Sequence, residues 1–328
     1  MAVLVTGATG FVGGWLVRRL VERGERVHVL QRRPGPIEGL SDLPLVECLG
    51  DITDRDRLAS AMQDVDTVFH LAGVVGYTRA MRATMDEVNV GGTRNVIEAT
   101  MKSAKRPRLV YMSSVVAVGA SFDGQPLNED SPYNISHLNL GYFETKHQAE
   151  LLVRQACQKG HIEAVILNPS TIYGAGDAKK GSRKTQLKVA RGELPFYTSG
   201  GVSIVSVHDV VDATLRAREV GRNGERYILS GDNITIRELF AQIAGFAGVR
   251  APFIYLPNPV LHLLGKVGDW RERHGKSGPL SSENAWTALL YHWFDHSKAK
   301  KELGFVPRPA AQALKESVDW MRAEGMLK

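Results

Sequence analysis

Tyr142 and Lys146 stand four residues apart in the run Gly141-Tyr142-Phe143-Glu144-Thr145-Lys146. On an α-helix that spacing puts a phenol and an ammonium on one face, one turn apart. A phenol ordinarily holds its proton up to about pH 10, and a neighbouring cation favours the phenolate and lowers that value. The pair therefore reads as an acid/base group that exchanges a proton with a substrate oxygen near neutral pH. Upstream, Tyr111-Met112-Ser113-Ser114 closes a candidate strand. A serine hydroxyl at the carboxyl end of a parallel strand points into the crevice where such sheets bind ligands and can hold the same oxygen.

A second pattern lies near the start, in Val5-Thr6-Gly7-Ala8-Thr9-Gly10-Phe11-Val12-Gly13. Three glycines at intervals of three, after an apolar run and before a helical one, match the phosphate-binding turn of a dinucleotide fold. Gly7 allows the sharp turn, Gly10 leaves room for a pyrophosphate, and Gly13 lets the helix pack close to the sheet. Unpaired N–H groups and the dipole at that helix start favour an anion. The end of the second strand is the place where a carboxylate usually reads the ribose hydroxyls of NAD. Here it carries Gln31, Arg32 and Arg33, and guanidinium groups pair with phosphate. NADP(H) is the expected cofactor, with NAD(H) as the alternative. An oxidised nicotinamide beside Tyr142 adds to the effect of Lys146 on its phenol.

The elements that must position these groups alternate. Strands are expected at Ala2–Val5, Arg26–Leu30, Leu45–Leu49, Thr67–Leu71, Arg108–Ser113 and Ala164–Asn168, separated by helices at Phe11–Arg23, Asp56–Met62, Asn89–Ser103 and Tyr142–Lys159. On the first helix Phe11, Trp15, Leu16 and Leu20 share a face, and Gly24 closes it. Such alternation predicts an α/β protein, a Rossmann doubly wound parallel sheet covered on both faces, with a smaller C-terminal α+β substrate lobe. The division expected is residues 1–169, with 203–234, for the cofactor domain, and 170–202 with 235–328 for the substrate lobe. Ala251–Ser282, rich in Pro, Gly and aromatics, reads as irregular connections, and Ala310–Glu324 as a final amphipathic helix.

Taken together, the motifs make the chain resemble an extended short-chain dehydrogenase/reductase of the epimerase/dehydratase superfamily. The matching pieces run in order: Thr6 to Gly13, Gly50-Asp51-Ile52, His70-Leu71-Ala72-Gly73, Asn89-Val90-Gly91-Gly92-Thr93, Ser113-Ser114, Tyr142 to Lys146, and Asn168-Pro169-Ser170. Arg226-Tyr227-Ile228-Leu229-Ser230-Gly231 and Glu302 to Pro307 are similar to the dihydroflavonol-reductase-like branch, which includes hopanoid-associated epimerase-like proteins. The resemblance implies roles. Ser114, Tyr142 and Lys146, with Asn89 bracing the site, are the catalytic set. Gly7, Thr9, Gly10, Phe11, Val12, Gly13, Arg32, Arg33, Asp51, Ile52, Leu71, Ala72, Gly73, Ser113, Pro169 and Ser170 hold the cofactor, with Tyr142 and Lys146. Asp51 accepts from the adenine amino group with Ile52 beside the ring, and Lys146 also bonds the nicotinamide ribose.

The substrate expected is a small-molecule carbonyl compound or the corresponding alcohol. Family dehydratases carry an Asp-Glu pair after the catalytic hydroxyl, where this chain has Val115-Val116; nucleotide-sugar enzymes commonly place an arginine where it has Val202. Tyr77, Tyr173 and Phe196 are candidate pocket residues beside Ser114. A nucleotide-sugar epimerase or dehydratase is the alternative, and the basic segment Lys179, Lys180, Arg183, Lys184 and Lys188 is the feature that favours it by offering charge to an anion. A non-catalytic NADP sensor is the third reading, against which the intact Ser-Tyr-Lys set speaks.

The 328 residues carry a formal charge of +6, with scattered basic residues, so no nucleic-acid partner is expected. Cys48 and Cys157 have no metal-ligand spacing around them; a metal is not expected. No signal peptide and no long uncharged apolar run is visible, so no membrane partner is expected and the cytoplasm is the expected location. The family resemblance is compatible with a homodimer.

Overall fold

The computed structural model describes residues 1–178, 183–276 and 280–327. The first half runs β1 (Ala2–Thr6), α1 (Phe11–Glu22), β2 (Arg26–Gln31), β3 (Val46–Leu49), α2 (Arg55–Ala61), β4 (Thr67–His70), α3 (Arg82–Met85), α4 (Gly92–Lys102), β5 (Arg108–Met112), α5 (Gly141–Gln158) and β6 (Ala164–Pro169). The second half runs β7 (Thr171–Tyr173), α6 (Lys184–Ala190), β8 (Phe196–Tyr197), β9 (Gly201–Ser206), α7 (Val207–Val220), β10 (Arg226–Leu229), β11 (Asp232–Thr235) and α8 (Ile236–Ala247). It ends with β12 (Ile254–Tyr255), α9 (Asn258–Arg273), α10 (Ser282–Leu289), β13 (Tyr291–His292), α11 (Ser297–Leu303) and α12 (Ala310–Ala323).

Seven strands form one sheet in the order β10-β6-β5-β4-β1-β2-β3, every pair parallel. The inner strands β1, β4, β5 and β6 are almost wholly buried because both faces of the sheet are covered. Val3, Val5, Val29, Phe69, Val110 and Leu167 pack under Leu16, Val17 and Leu20 of α1 and Val210 and Leu215 of α7. The alternate residues Leu4, Val68, Leu109, Tyr111 and Ile166 pack under Leu58, Val96, Ala149 and Val153 of α2, α4 and α5. The period of two along each strand thus divides one sheet into two cores. Chain order reverses between β1 and β4, and that switch point marks the crevice at the strands' carboxyl ends. The sheet is the expected Rossmann doubly wound one.

A smaller sheet carries β11-β9-β13, with β7 also paired to β9. It is backed by a third core of Tyr173, Val189, Ile204, Leu239, Phe240 and Leu314. Pro169 ends β6 and Thr171 begins β7, so one residue, Ser170, carries the chain from the large sheet to the small one.

Two sequence expectations change. The buried face of α1 is Gly13, Leu16, Val17 and Leu20; Phe11 and Trp15 are only partly buried, and the Trp15 indole donates to the Ala175 carbonyl at 3.1 Å. The stretch 251–282 is not irregular, since α9 spans 16 of its residues. Its glycines are contact points rather than breaks. A Cβ at Gly268 would lie 1.6 Å from the Leu280 carbonyl oxygen, and one at Gly265 3.0 Å from Ser282 Cα.

Beneath the carboxyl edge lies a buried polar layer. Arg226 of β10 donates to Glu150 of α5 at 3.1 Å and to the Glu129 carbonyl at 2.9 Å. Glu150 also accepts from Ser113 and Asn168, both at 2.6 Å. Removing one member strands a buried charge, which costs about 3–5 kcal/mol. Arg226→Met is therefore expected to lower the urea midpoint by an amount equivalent to about 3 kcal/mol or more with unchanged slope. A change under about 1 kcal/mol, the size of an exposed pair, would show that the layer does not hold the sheet to α5.

Candidate active site

The glycine turn is built by close approach. Gly7 has φ +79°, and a Cβ there would meet the Ala72 backbone nitrogen at 2.6 Å. A Cβ on Gly13 would lie 2.1 Å from the Gly7 carbonyl oxygen. The Gly10 N–H donates to Gly7 O at 2.9 Å, and Thr9 and Gly10 are exposed at the start of α1. No side chain caps that helix and its first turn holds no acid, so its positive end faces the crevice. Leu71, Ala72 and exposed Gly73 follow β4 directly beside the turn. The cradle suits a pyrophosphate.

Asn89 sits in a π-helical segment, Asp86–Gly91, just before α4. Its amide accepts from the Val74 N–H at 2.8 Å and donates to the Val74 carbonyl at 2.9 Å and the Thr145 hydroxyl at 3.1 Å. One side chain thereby pins the segment after β4 to α5. π-Bulges of this kind often reposition a side chain at functional sites.

Tyr142, Lys146 and Ser114 come together. The Ser114 hydroxyl lies near enough to the Tyr142 phenol to act on its proton and accepts from the Val116 N–H at 3.4 Å. Lys146 is buried and donates to the Met112 carbonyl at 2.8 Å and the Tyr111 hydroxyl at 3.4 Å. The expected lowering of the tyrosine does not come from the protein's own groups. Burial pushes the Tyr142 phenol well above its usual value, Tyr77 adds to the rise, and only the Ser114 bond opposes it. Burial also pushes Lys146 down to about 8, against the attraction of Glu150. Desolvation penalises phenolate and ammonium alike.

The remaining expected residues divide. Ser170 is buried with an unpartnered hydroxyl beside Pro169 at the carboxyl end of β6, ready for a ligand's polar group. Arg32 and Arg33 are exposed after β2, where Gln31 holds the Gly35 carbonyl at 2.9 Å. Asp51 is partly committed: one oxygen takes the Thr53 N–H and hydroxyl, both at 2.9 Å, and the other lies 3.8 Å from Arg32. Ser113 turns its hydroxyl away from the crevice onto Glu150. Ile52 is core: its side chain fills the space over Gly92, whose Cβ would meet it at 2.4 Å, so it does not lie open beside a ring.

Of the pocket candidates, Tyr77 packs edge-on against Tyr142, centroids 6.2 Å apart. Tyr173 is fully buried with an unpartnered hydroxyl, and the Arg183 guanidinium 4.1 Å over its ring also acts on Tyr77. Phe196 is exposed on β8, which pairs with β12 in a separate two-stranded sheet. Within the basic segment, Arg183 is spent on Tyr173, Asp177 and the Ile172 carbonyl, while Lys184 and Lys188 are exposed; Lys179 and Lys180 lie outside the described residues. Sequence reasoning missed Glu150, although a carboxylate one turn beyond Lys146 on the buried face was the available signal. It also missed His70, held neutral by burial at a pKa of about 3 between Thr6 (2.7 Å) and Thr93 (3.2 Å).

Comparison with known proteins agrees with this geometry. Residues 3–230 match the family described as NAD dependent epimerase/dehydratase family. A Synechocystis protein provisionally named a dihydroflavonol 4-reductase is 33% identical over 334 residues, covering 99% of this chain and 95% of that protein. Sterol demethylase protein B of Methylococcus capsulatus is 30% identical over 331 residues, covering all of both. The crystal structure of gox2253 superposes with a TM-score of 0.88 at 36% identity, covering 100% of this chain and 99% of the other.

The depressed lysine carries a pH signature. Folding disfavours the Lys146 ammonium, so this destabilising contribution is full below about 8 and fades as pH rises toward the unfolded value of 10.5. In the protein free of nucleotide, carbon-13 NMR of lysine Cε should show one resonance titrating near about 8 that is missing in Lys146→Met. Titration of that resonance with the bulk of the lysines would refute the burial argument.

Proposed function

Because the chain belongs to the NAD dependent epimerase/dehydratase family and is an NAD(P)-dependent oxidoreductase of the extended short-chain dehydrogenase/reductase type, we propose that it reduces an apolar aldehyde or ketone to an alcohol with NADPH. The observation that carries this reading is the environment of Tyr142. Tyr142 belongs to an apolar cluster with Tyr77, Val116, Leu138, Phe143, Leu290 and Trp286, its ring edge-on to Tyr77 and Phe143, and Ser114 is followed by Val115 and Val116 rather than carboxylates. Such apolar neighbours favour a polycyclic ketone, whose buried rings gain about 25 cal/mol per Å²; the polar groups nearby, Asn139, Ser281 and Glu283, line the cavity that Tyr77 and Trp286 also line. The names of the dihydroflavonol reductase and sterol relatives fit that class.

The residues divide the work. When bound, NADPH supplies the hydride that reduces the carbonyl carbon. The Gly7–Gly13 turn seats the pyrophosphate, Ser170 meets the carboxamide, and Lys146 holds the nicotinamide ribose. Arg32 reads the 2′-phosphate in fork geometry, drawn from a loose 3.8 Å contact with Asp51. Ser114 and Tyr142 donate hydrogen bonds to the carbonyl oxygen. Tyr142, kept protonated by burial, then passes its proton to the alkoxide, leaving alcohol and oxidised cofactor. The positioned donors supply most of the acceleration.

One feature favours the second reading, interconversion of a nucleotide sugar without net cofactor change. Arg79 lines a cavity of ≈ 110 Å³ beside Tyr77 and Trp286 and can pair with a diphosphate. Its neighbour Arg82 is already committed to Asn139 and Glu283, at 2.8 and 2.7 Å.

Absorbance of reduced nicotinamide should fall with NADPH and members of a ketone panel biased to polycyclic compounds. Conversion of UDP-sugars with no such fall would install the second reading instead. Tyr142→Phe should lose about 10²–10⁴-fold in kcat, the worth of a positioned acid, with NADPH affinity nearly unchanged; undiminished turnover removes Tyr142 from the chemistry. Arg32→Ala should weaken NADPH by about 10- to 100-fold, the loss of a charged hydrogen bond, and leave NADH almost untouched. Equal weakening of both would mean that Arg32 does not sense the phosphate.

A further inference from the structure

The helix α9 carries an apolar face that nothing in the described chain covers. Val260, Leu263, Leu264, Val267 and Trp270 are all exposed, Leu263 at 62% and Trp270 at 57%. At about 100° per residue they fall within an arc of about 120°. The inward side of the helix is Leu261, Gly265 and Gly268, packed on the 280–285 segment. Just upstream, Phe253, Ile254 and Tyr255 are exposed as well, so the face is continuous along the chain rather than a scatter of single residues. Isolated exposed apolar residues are ordinary; a contiguous stripe of this kind marks an interaction surface.

Charge decides between the occupants. Lys266, Arg273 and Lys276 are exposed on and beside the stripe, while the acids of the same helix sit toward the protein: Asp269 accepts the Ser282 N–H at 3.0 Å, and Asp269 and Glu272 are only partly exposed. A second copy docking by a two-fold axis would set this basic border against itself, a repulsion with no acids on the outer face to offset it. An apolar stripe of Val, Leu and Trp with a lysine and arginine border has the composition of a helix that lies in a lipid interface. The helix is too short and too charged to cross, and no described helix is long and apolar enough to do so.

We propose that the α9 face, with the adjoining Phe253–Tyr255 segment, docks this protein onto an anionic lipid bilayer as a peripheral, interfacial anchor. The stripe enters the boundary between headgroups and acyl chains, and Lys266, Arg273 and Lys276 meet lipid phosphates. This goes beyond the reaction assigned above and stands without it. It adds a consequence for it, since α9 packs on α10, whose Trp286 lines the cavity beside Tyr77.

The test is co-sedimentation of the full chain with phosphatidylcholine vesicles made with and without phosphatidylglycerol. Binding is expected to the phosphatidylglycerol vesicles, to weaken in high salt, and to fall about tenfold or more in Leu263→Glu/Val267→Glu. Lys266→Gln/Arg273→Gln should remove most of the preference for the anionic lipid. Should the glutamate pair fail to fold, the glutamine pair and a brominated-lipid quench of tryptophan emission, absent in Trp270→Phe, give the same answer. No sedimentation of the wild-type chain, or equal binding by all variants, would overturn the proposal. So would a wild-type dimer that the glutamate pair converts to a monomer with no vesicle binding, because a second copy would then be what covers the face.

Discussion

Three backbone segments meet at the carboxyl edge of the large sheet more closely than any side chain permits, and the site depends on that contact. The Gly7 position touches the Ala72 backbone, and the Gly13 position touches the Gly7 carbonyl. With a Cβ at either, α1 would be pushed off the sheet and the segment after β4 off the turn. The shelf at this edge is therefore made of main chain, and its shape is tied to the packing of β1 against β4. Because β1 and β4 are neighbours in the sheet but far apart in the chain, the crevice forms at the switch point without any long loop to build it.

Burial then sets the chemistry of the side chains around the shelf. Lys146 is enclosed by the Met112 carbonyl and Tyr111 hydroxyl, with Glu150 one turn further along α5 and Arg226 beyond it. Desolvation weakens the lysine's hold on its proton and strengthens the tyrosine's. In the protein alone the phenol thus keeps its proton, and the approach of further positive charge would shift it toward release. The buried polar layer also ties the catalytic helix to β10, the far strand of the sheet, so that the position of Lys146 follows from the fold as a whole.

The second half of the chain shapes what reaches that chemistry. Ser170 alone carries the chain from β6 of the large sheet to β7 of the small one, and Ser230 and Gly231 carry it from β10 to β11, so the two sheets are joined by short connections. The cavity beside Tyr142's neighbour Tyr77 draws Tyr77 from the loop after β4, Leu138 from before α5 and Trp286 from α10. The same α9–α10 pair that contributes to this cavity turns its other face outward as the apolar stripe, which places recognition of substrate and recognition of surroundings on adjoining elements.

Local pattern determined much of this protein. The alternation of apolar strands and amphipathic helices specified the parallel sheet, because strands buried on both faces and helices buried on one have distinct periods. The glycine spacing, the Tyr142–Lys146 interval and the Ser114 position pointed to the candidate site, since each depends on a few bonds of chain geometry. What only the tertiary structure decided is which way a side chain faces among distant neighbours. Ser113 and Ser114 are adjacent, yet one hydroxyl donates to Glu150 and the other takes the Val116 N–H. Tyr173 and Phe196 are aromatic like Tyr77, yet one is core and one is surface. Gly265 and Gly268 resemble helix breakers, yet they are where α9 touches the 280–285 segment. Burial and the pKa shifts that follow from it are sums over atoms brought together from the whole chain, and no short window of sequence contains that sum.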